Sequence, residues 1–151
     1  MIIKHKDLLH DISNLAYVIA DVCEGRESPH SLHQIYDICE EGNIDRVNSL
    51  LTLAAAEVAA ALSPIGSISR RKELYRLKFK GISKEYAFKI TELIREYMVT
   101  SVLHGWLAIT LPSGASFWND RKLNLMDTLD TSIFMAVASN NATLTRRLSP
   151  F

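Results

Sequence analysis

The chain has 151 residues, of which 48% are hydrophobic and 23% are charged. This length and composition fit one soluble globular domain and exclude a wholly disordered, collagen-like or low-complexity protein. The 17 basic and 17 acidic residues cancel, so attraction to nucleic acid or to an anionic membrane would have to come from a local patch. Neither a signal peptide nor a membrane-spanning apolar run is visible, so we expect a protein of a reducing cytoplasm without membrane contact.

The first half of the chain predicts three amphipathic helices, because apolar residues recur there at steps of three and four. The first helix covers Lys6–Cys23 and ends before Gly25. The second covers His30–Glu41, and the third covers Ile44–Leu62 with Asn43 as its N-cap. The third helix is rich in alanine, whose small side chain lets helices approach closely, so we place it inside a bundle.

The stretch SRRKELYRLKFKGIS, which follows the third helix, breaks the helical periodicity. Tyr75, Leu77 and Phe79 alternate with basic residues, a period of two that predicts a half-buried, β-like insertion near residues 74–80. Residues 69–74 fit a short helical turn equally well. Since no second strand is predicted, this strand would lack backbone partners within its own chain and could pair with another chain.

Two further helices are predicted in the second half. The longer one covers Lys84–Ile109, with Ser83 as its N-cap, and its second half is apolar nearly all round. That half is expected to be the most buried helix or to lie in a subunit interface. Residues 111–116 are predicted as a loop, a fifth helix covers Phe117–Ser139, and residues 140–151 form an extended tail.

The predicted fold class is all-α, a bundle of about five helices with a short β-like basic insertion. A single helical domain spans residues 1–151, since no linker, repeat or change of composition divides it. Its parts are an N-terminal helical pair in residues 1–42 and a core bundle in residues 43–151. The core bundle contains the insertion, residues 65–82, and the C-terminal tail.

No catalytic, cofactor-binding or metal-binding motif is recognisable. His30 and His33 have a spacing that permits metal chelation with Asp37 or Cys39, but no second pair of ligands accompanies them. His104 lies in an apolar context beside a tryptophan, where a packed core histidine is the commoner outcome. We therefore predict no enzyme, no cofactor and no metal.

The distribution of charge is the strongest functional signal in the sequence. Residues 70–80 contain six basic residues and one acidic residue, a net charge of +5, whereas the rest of the chain carries 11 basic and 16 acidic residues. Residues 37–45 contain four acidic residues and no basic one. A basic strand on one copy can therefore face an acidic surface on the next, a head-to-tail contact that closes into a ring when the rotation permits.

Two other interpretations of residues 70–80 stay open. A nucleic-acid-binding helical module would use the basic side chains on phosphates and Tyr75 and Phe79 on bases, but such a module is expected to carry a net positive charge. A solvated face without a partner is the third interpretation. We rank protein assembly above nucleic-acid binding because the net charge is zero.

The order of four segments resembles that of the small helical head-to-tail connector proteins, or neck adaptors, of tailed bacteriophages. These segments are NIDRVNSLLTLAAAEVAAALSP, LYRLKFKGIS, KITELIREYMVTSVLHGWLAITLP and TRRLSPF. The pattern EYMV..VL..WL, followed by a proline loop, a tryptophan and a closing helix, is also similar to prophage-type proteins of gut Bacteroidetes. Together these features cover roughly residues 44–151.

The resemblance implies a structural, non-enzymatic virion assembly protein that self-associates or docks on portal or tail components. It would be located in the virion or in the cytoplasm of the host bacterium, and it would need no cofactor. The expected partner-binding residues are Arg70, Arg71, Lys72, Tyr75, Arg76, Leu77, Lys78, Phe79 and Lys80, with a second contact through Arg146, Arg147 and Phe151. On this hypothesis Tyr75, Leu77 and Phe79 face the partner.

Overall fold

The computed structural model describes residues 1–23 and 35–148, with side-chain surroundings for residues 1–21 and 35–142. Within these residues the chain forms four helices and three strands. In chain order they are β1 (Ile2–Lys4), α1 (His5–Cys23), α2 (Ile44–Leu62), β2 (Gly66–Arg71), β3 (Leu74–Phe79), α3 (Lys84–Thr110) and α4 (Pro112–Leu148). The fold is therefore mainly helical, as predicted, but it is not an all-α bundle of five helices, because a small antiparallel sheet is part of it.

The sheet has the strand order β1-β3-β2, so the predicted basic strand is its central strand. Ile3 of β1 lies opposite Tyr75 on one side, and Ile68 of β2 lies opposite Leu77 on the other. The prediction of a strand without partners in its own chain is wrong. Both partners were missed because β1 has only three residues and GSISRR in β2 has one large apolar residue, so neither strand shows an alternating pattern.

A two-residue loop, Lys72-Glu73, joins β2 to β3 where a short helical turn had been an alternative. Arg71 lies opposite Leu74 across this loop, and Lys72 has a positive φ of 52°. At the other end of the hairpin the Lys80 N–H donates to the Ile65 carbonyl at 2.7 Å. Positive φ at the first loop residue belongs to the tight turns that match the twist of paired strands.

Helix α3 forms the centre of the molecule, and α1, α2 and α4 pack around it. All residues from Tyr97 to Leu103 are buried, whereas Ala108 and Ile109 are exposed. The predicted burial of the second half of this helix therefore holds for residues 97–103 and not for its end. Helix α2 contributes the predicted stripe, and its buried residues are Val47, Leu51, Ala54, Val58 and Leu62. Ser83 caps α3 by accepting a hydrogen bond from the Tyr86 N–H at 3.3 Å.

The second half of the chain differs from the prediction at two places. Leu111 alone separates α3 from α4, and α4 begins at Pro112 instead of at Phe117. Proline fits the first position of a helix because that position needs no N–H donor. Helix α4 then continues through the predicted break at Asn140 to Leu148, so residues 140–148 are helical and not an extended tail. Residues 149–151 lie outside the described residues.

The N-terminal helices are confirmed in part. Helix α1 begins at His5, one residue before the predicted start. Of the predicted helix His30–Glu41, residues 30–34 lie outside the described residues, residues 35 and 36 are helical, and residues 37–43 form turns. The Asn43 side chain donates to the Asp37 carbonyl at 2.8 Å and makes no capping bond to α2. It therefore stabilises the turn instead of the helix start.

Candidate protein-binding face of the sheet

The two faces of the sheet differ sharply in chemistry. Side chains alternate along a strand, and directly opposite residues share a face. Tyr75 and Leu77 are each 1% exposed and Ile3 is 4% exposed, so this face packs on the helices. The opposite face, which we call the outer face, is formed by Ile2, Lys4, Ser67, Ser69, Arg71, Leu74, Arg76 and Lys78.

The outer face carries four cations and no acidic or aromatic residue. Lys4, Arg71, Arg76 and Lys78 are all exposed, and within the described part of the chain none of them forms an ion pair. Three strands bring these cations together, since β1 contributes one, β2 one and β3 two. The result is a cationic surface whose charge is not neutralised by its own chain.

Three other predicted cations lie at the margins of this face. Arg70 is directly opposite Tyr75 and therefore projects from the helix side of the sheet, where its guanidinium lies 5.6 Å from the Tyr75 ring centre. Lys72 is in the hairpin loop, and Lys80 follows β3. All three side chains are exposed. Sequence reasoning missed Lys4, because three residues at the start of the chain show too little periodicity to predict a strand.

The aromatic residues of β3 do not face a partner, which corrects the predicted role of that face. Tyr75 and Leu77 are buried in the core of their own chain, and Phe79 is half-buried against it. Burial raises the pKa of Tyr75 above its usual value, with a smaller contribution from Glu73 and an opposing one from Arg70. Tyr75 is therefore not available to stack on a nucleic-acid base, as an RNA- or DNA-binding sheet would require.

His5 fixes the hairpin loop to the helical part of the molecule. It is buried at the junction of β1 and α1, and its backbone N–H donates to the Glu73 carbonyl at 2.9 Å. Its ring Nδ1 lies 3.1 Å from the Glu73 carboxylate, and Nε2 lies 2.7 Å from Asn48 Oδ1 of α2. Glu73, the only acidic residue of the segment 70–80, is thus directed toward His5 and away from the outer face.

An acidic turn lies elsewhere on the same chain. Residues 37–43 form turns in which Glu40 and Glu41 are exposed, and Asp45 is exposed in the first turn of α2. In the described residues neither Glu40 nor Glu41 forms an ion pair. The chain therefore presents a cationic face and an anionic turn that do not neutralise each other internally.

Several predicted residues do not bear on this face. Arg146 and Arg147 lie in the last turns of α4, where only the backbone is described, and Phe151, His30 and His33 lie outside the described residues. His104, expected in the packed core, is only half-buried. Among the histidines with described side chains, His5 is the buried one. No group of three or more potential metal ligands occurs in residues 1–23 and 35–148.

A groove of about 700 Å³ lies between α1, α3 and α4. Its charged side chains pair across the helices, with Arg95 at 2.7 Å from Asp11 and Arg121 bonded to Glu96. These guanidinium groups pair with two of the three carboxylates that line the groove, and Glu92 is the third. The groove is therefore a weaker candidate site than the outer face, where the cations are unpaired.

In the described residues no helix is both long enough and apolar enough to cross a membrane. No protein-family model, curated protein or solved structure matches the chain.

Proposed function

We propose that this protein is a non-enzymatic virion assembly protein of the head-to-tail connector type. The observation that carries the proposal is the outer face, with four unpaired cations and no acidic or aromatic side chain. Such a face suits a folded, acidic protein surface, since ionic contacts position partners without needing stacked rings. The resemblance to phage neck adaptors supports a place in the virion or the host cytoplasm, next to portal or tail components.

The acidic partner surface is, in this proposal, the turn of residues 37–43 on a second copy. The contact is heterologous, because the outer face of one copy meets the turn of the next. Repetition of one such contact gives a ring or an open chain, which is the architecture of a connector. The zero net charge of the whole chain fits this mode, because each copy neutralises its neighbour.

Nucleic-acid binding through the same cations is the alternative. The buried ring of Tyr75 and the absence of aromatic residues from the outer face argue against a single-stranded ligand. A double-stranded ligand would need contacts to phosphate only. Its signature is a DNA affinity that falls steeply with salt and disappears when the outer-face cations are reversed.

Self-association measured by light scattering tests the proposal directly. The wild-type mass is expected to rise with protein concentration, and the double variant Arg76→Glu, Lys78→Glu should need about tenfold or more protein to associate. The double variant Lys84→Glu, Lys89→Glu is the matched control, since it changes net charge equally at exposed positions of α3. Wild-type behaviour of the outer-face variant would contradict the proposal. If wild type binds DNA but does not self-associate, and the outer-face variant loses the DNA binding, the alternative is favoured.

A further inference from the structure

Strand β2 has an open outer edge. The Met1 ammonium donates to the Leu77 carbonyl and the Leu77 N–H donates to the Met1 carbonyl, both at 2.8 Å, so the Leu77 backbone groups point toward β1. The backbone N–H and C=O of Arg76 therefore point the other way, toward Ser69 of β2. It follows that the N–H and C=O of the alternate residues, Ile68 and Arg70, point away from the sheet. No described residue pairs with them.

We propose that this edge pairs antiparallel with the β2 edge of a second copy and so builds a six-stranded sheet across a two-fold axis. An edge strand of six residues with unpaired backbone groups is a template for strand addition by a second chain. The contact is isologous, and it does not rest on the face-to-turn contact proposed above. The two contacts use different surfaces of the chain.

The outward-pointing groups decide the register. A two-fold axis through Ile68 makes a hydrogen-bonded pair of Ile68 with Ile68 of the second copy. Arg70 then lies opposite Gly66 of the second copy, which offers no side chain to obstruct it, and Ser69 lies opposite Ser67. In this register Arg70 is opposite Gly66 and Arg71 is opposite Ile65, both neutral, so no like charges face each other directly.

The arrangement also enlarges the candidate binding face. Residues that are opposite each other share a face, so the outer faces of the two copies become continuous. Lys4, Arg71, Arg76 and Lys78 would then occur twice on one surface about six strands wide, roughly 25 Å. Because all these charges have one sign, salt that screens them should strengthen the dimer, whereas salt should weaken a contact between the outer face and an acidic turn.

Cysteine cross-linking tests the register. In an Ile68→Cys chain the two new thiols belong to opposite residues with Cα atoms about 5.5 Å apart, a separation that a disulfide can span. In a Ser69→Cys chain the Cα atoms would be about 8 Å apart, which is too far. Mild oxidation should therefore give a covalent dimer for Ile68→Cys above the level set by Ser69→Cys and by wild type, which contains Cys23 and Cys39. Equal cross-linking of the two variants would overturn the proposed register.

Proline substitution tests the hydrogen bonds themselves. Arg70→Pro removes an outward N–H that has no partner within the described chain, a position at which an edge strand tolerates proline. Its matched control, Arg70→Ala, removes the same charged side chain but keeps the N–H. The dimer dissociation constant of Arg70→Pro should exceed that of Arg70→Ala by about tenfold, since each copy loses one bond.

Each outcome decides the matter. If the two substitutions at position 70 dimerise equally, with circular dichroism showing both folded, the edge contact is wrong. If Arg70→Pro does not fold, cross-linking of Ile68→Cys against Ser69→Cys decides whether the edge contact forms. A salt-strengthened dimer without any salt-weakened association would support this inference while contradicting the face-to-turn contact, so the two proposals fail separately.

Discussion

The Tyr97 hydroxyl of α3 donates a hydrogen bond to the Glu57 carboxylate of α2. Lys122 of α4 reaches the same carboxylate at 3.0 Å, so one acidic group joins three helices. Tyr97→Phe should lower the free energy of unfolding by about 1 kcal/mol, because the bond involves a charged acceptor that is partly exposed to solvent. Urea denaturation measures this change, and a double-mutant cycle with Glu57→Gln should show non-additivity. Additive effects would mean that the two groups do not interact.

The same carboxylate gives stability a defined dependence on pH. Burial works to raise the pKa of Glu57, but the hydrogen bonds from Tyr97 and Lys122 and the charge of Lys122 outweigh it, and the pKa is lowered from its usual 4.5. The stabilisation is therefore present above about pH 4.5 and is lost as the pH falls through the folded-state pKa. Glu57→Gln should be less stable than wild type at pH 7, and the difference should shrink by pH 3. A constant difference would show that the ionised carboxylate is not the stabilising form.

Gly66 is required by close packing at the start of the hairpin. A Cβ atom at this position would overlap the Lys78 carbonyl, which is backbone and cannot move aside cheaply. Gly66→Ala should cost about 3 kcal/mol, the upper part of the range for overpacking. Gly42→Ala is the control, since a Cβ there meets nothing within 4 Å, and its effect should stay within about 0.5 kcal/mol. Similar midpoints for the two variants in thermal denaturation would contradict the assigned geometry.

Lys72 should be a site where glycine stabilises the fold. Its φ of 52° lies in the left-handed region, which costs a residue with a Cβ atom roughly 1 kcal/mol. Glycine avoids this cost but is more flexible in the unfolded chain, so Lys72→Gly should gain about 0.5 kcal/mol. Lys72→Ala removes the charge and keeps the Cβ atom, which separates the backbone effect from the electrostatic one. If alanine stabilises as much as glycine, relief of charge repulsion is the cause.

Long periodic segments were predictable from the sequence. Helices α1, α2 and α3 have their predicted ends within one residue, because each has an apolar stripe of five turns or more and a stop signal beside it. The start of α4 was not predicted, since proline marks a loop as readily as a first helical turn. In the folded chain α4 packs against α3, a contact that the local sequence pattern does not show.

The candidate site was predictable in its chemistry but not in its geometry. The alternation in LYRLKF predicted a strand with a basic side, and that side is exposed. Which strand lies at the edge depends on pairing partners far apart in the chain, Ile3 and Tyr75 among them. A three-residue strand is too short to show a period of two in the sequence. The position of Lys4 on the outer face and the open edge of β2 could therefore be found only in the folded structure.

Complementary charge reversal gives the sharpest test of head-to-tail assembly. The outer-face variant, Arg76→Glu with Lys78→Glu, and a turn variant, Glu40→Lys with Glu41→Lys, should each stay dissociated alone, because each presents like charges at the contact. An equimolar mixture should associate again, since the two introduced carboxylates on the outer face of one variant meet the two introduced ammonium groups in the turn of the other. A chain with all four changes should also associate by itself.

Mass measured by light scattering reads out all four samples, and association in the mixture should weaken between about 0.1 M and 1 M salt as the Debye length falls from about 10 Å to 3 Å. Restoration in the mixture requires both surfaces to belong to the same contact, because a partner of another kind would not be supplied by mixing two variants. If neither the mixture nor the fourfold variant recovers, the outer face binds an acidic surface that this chain does not carry.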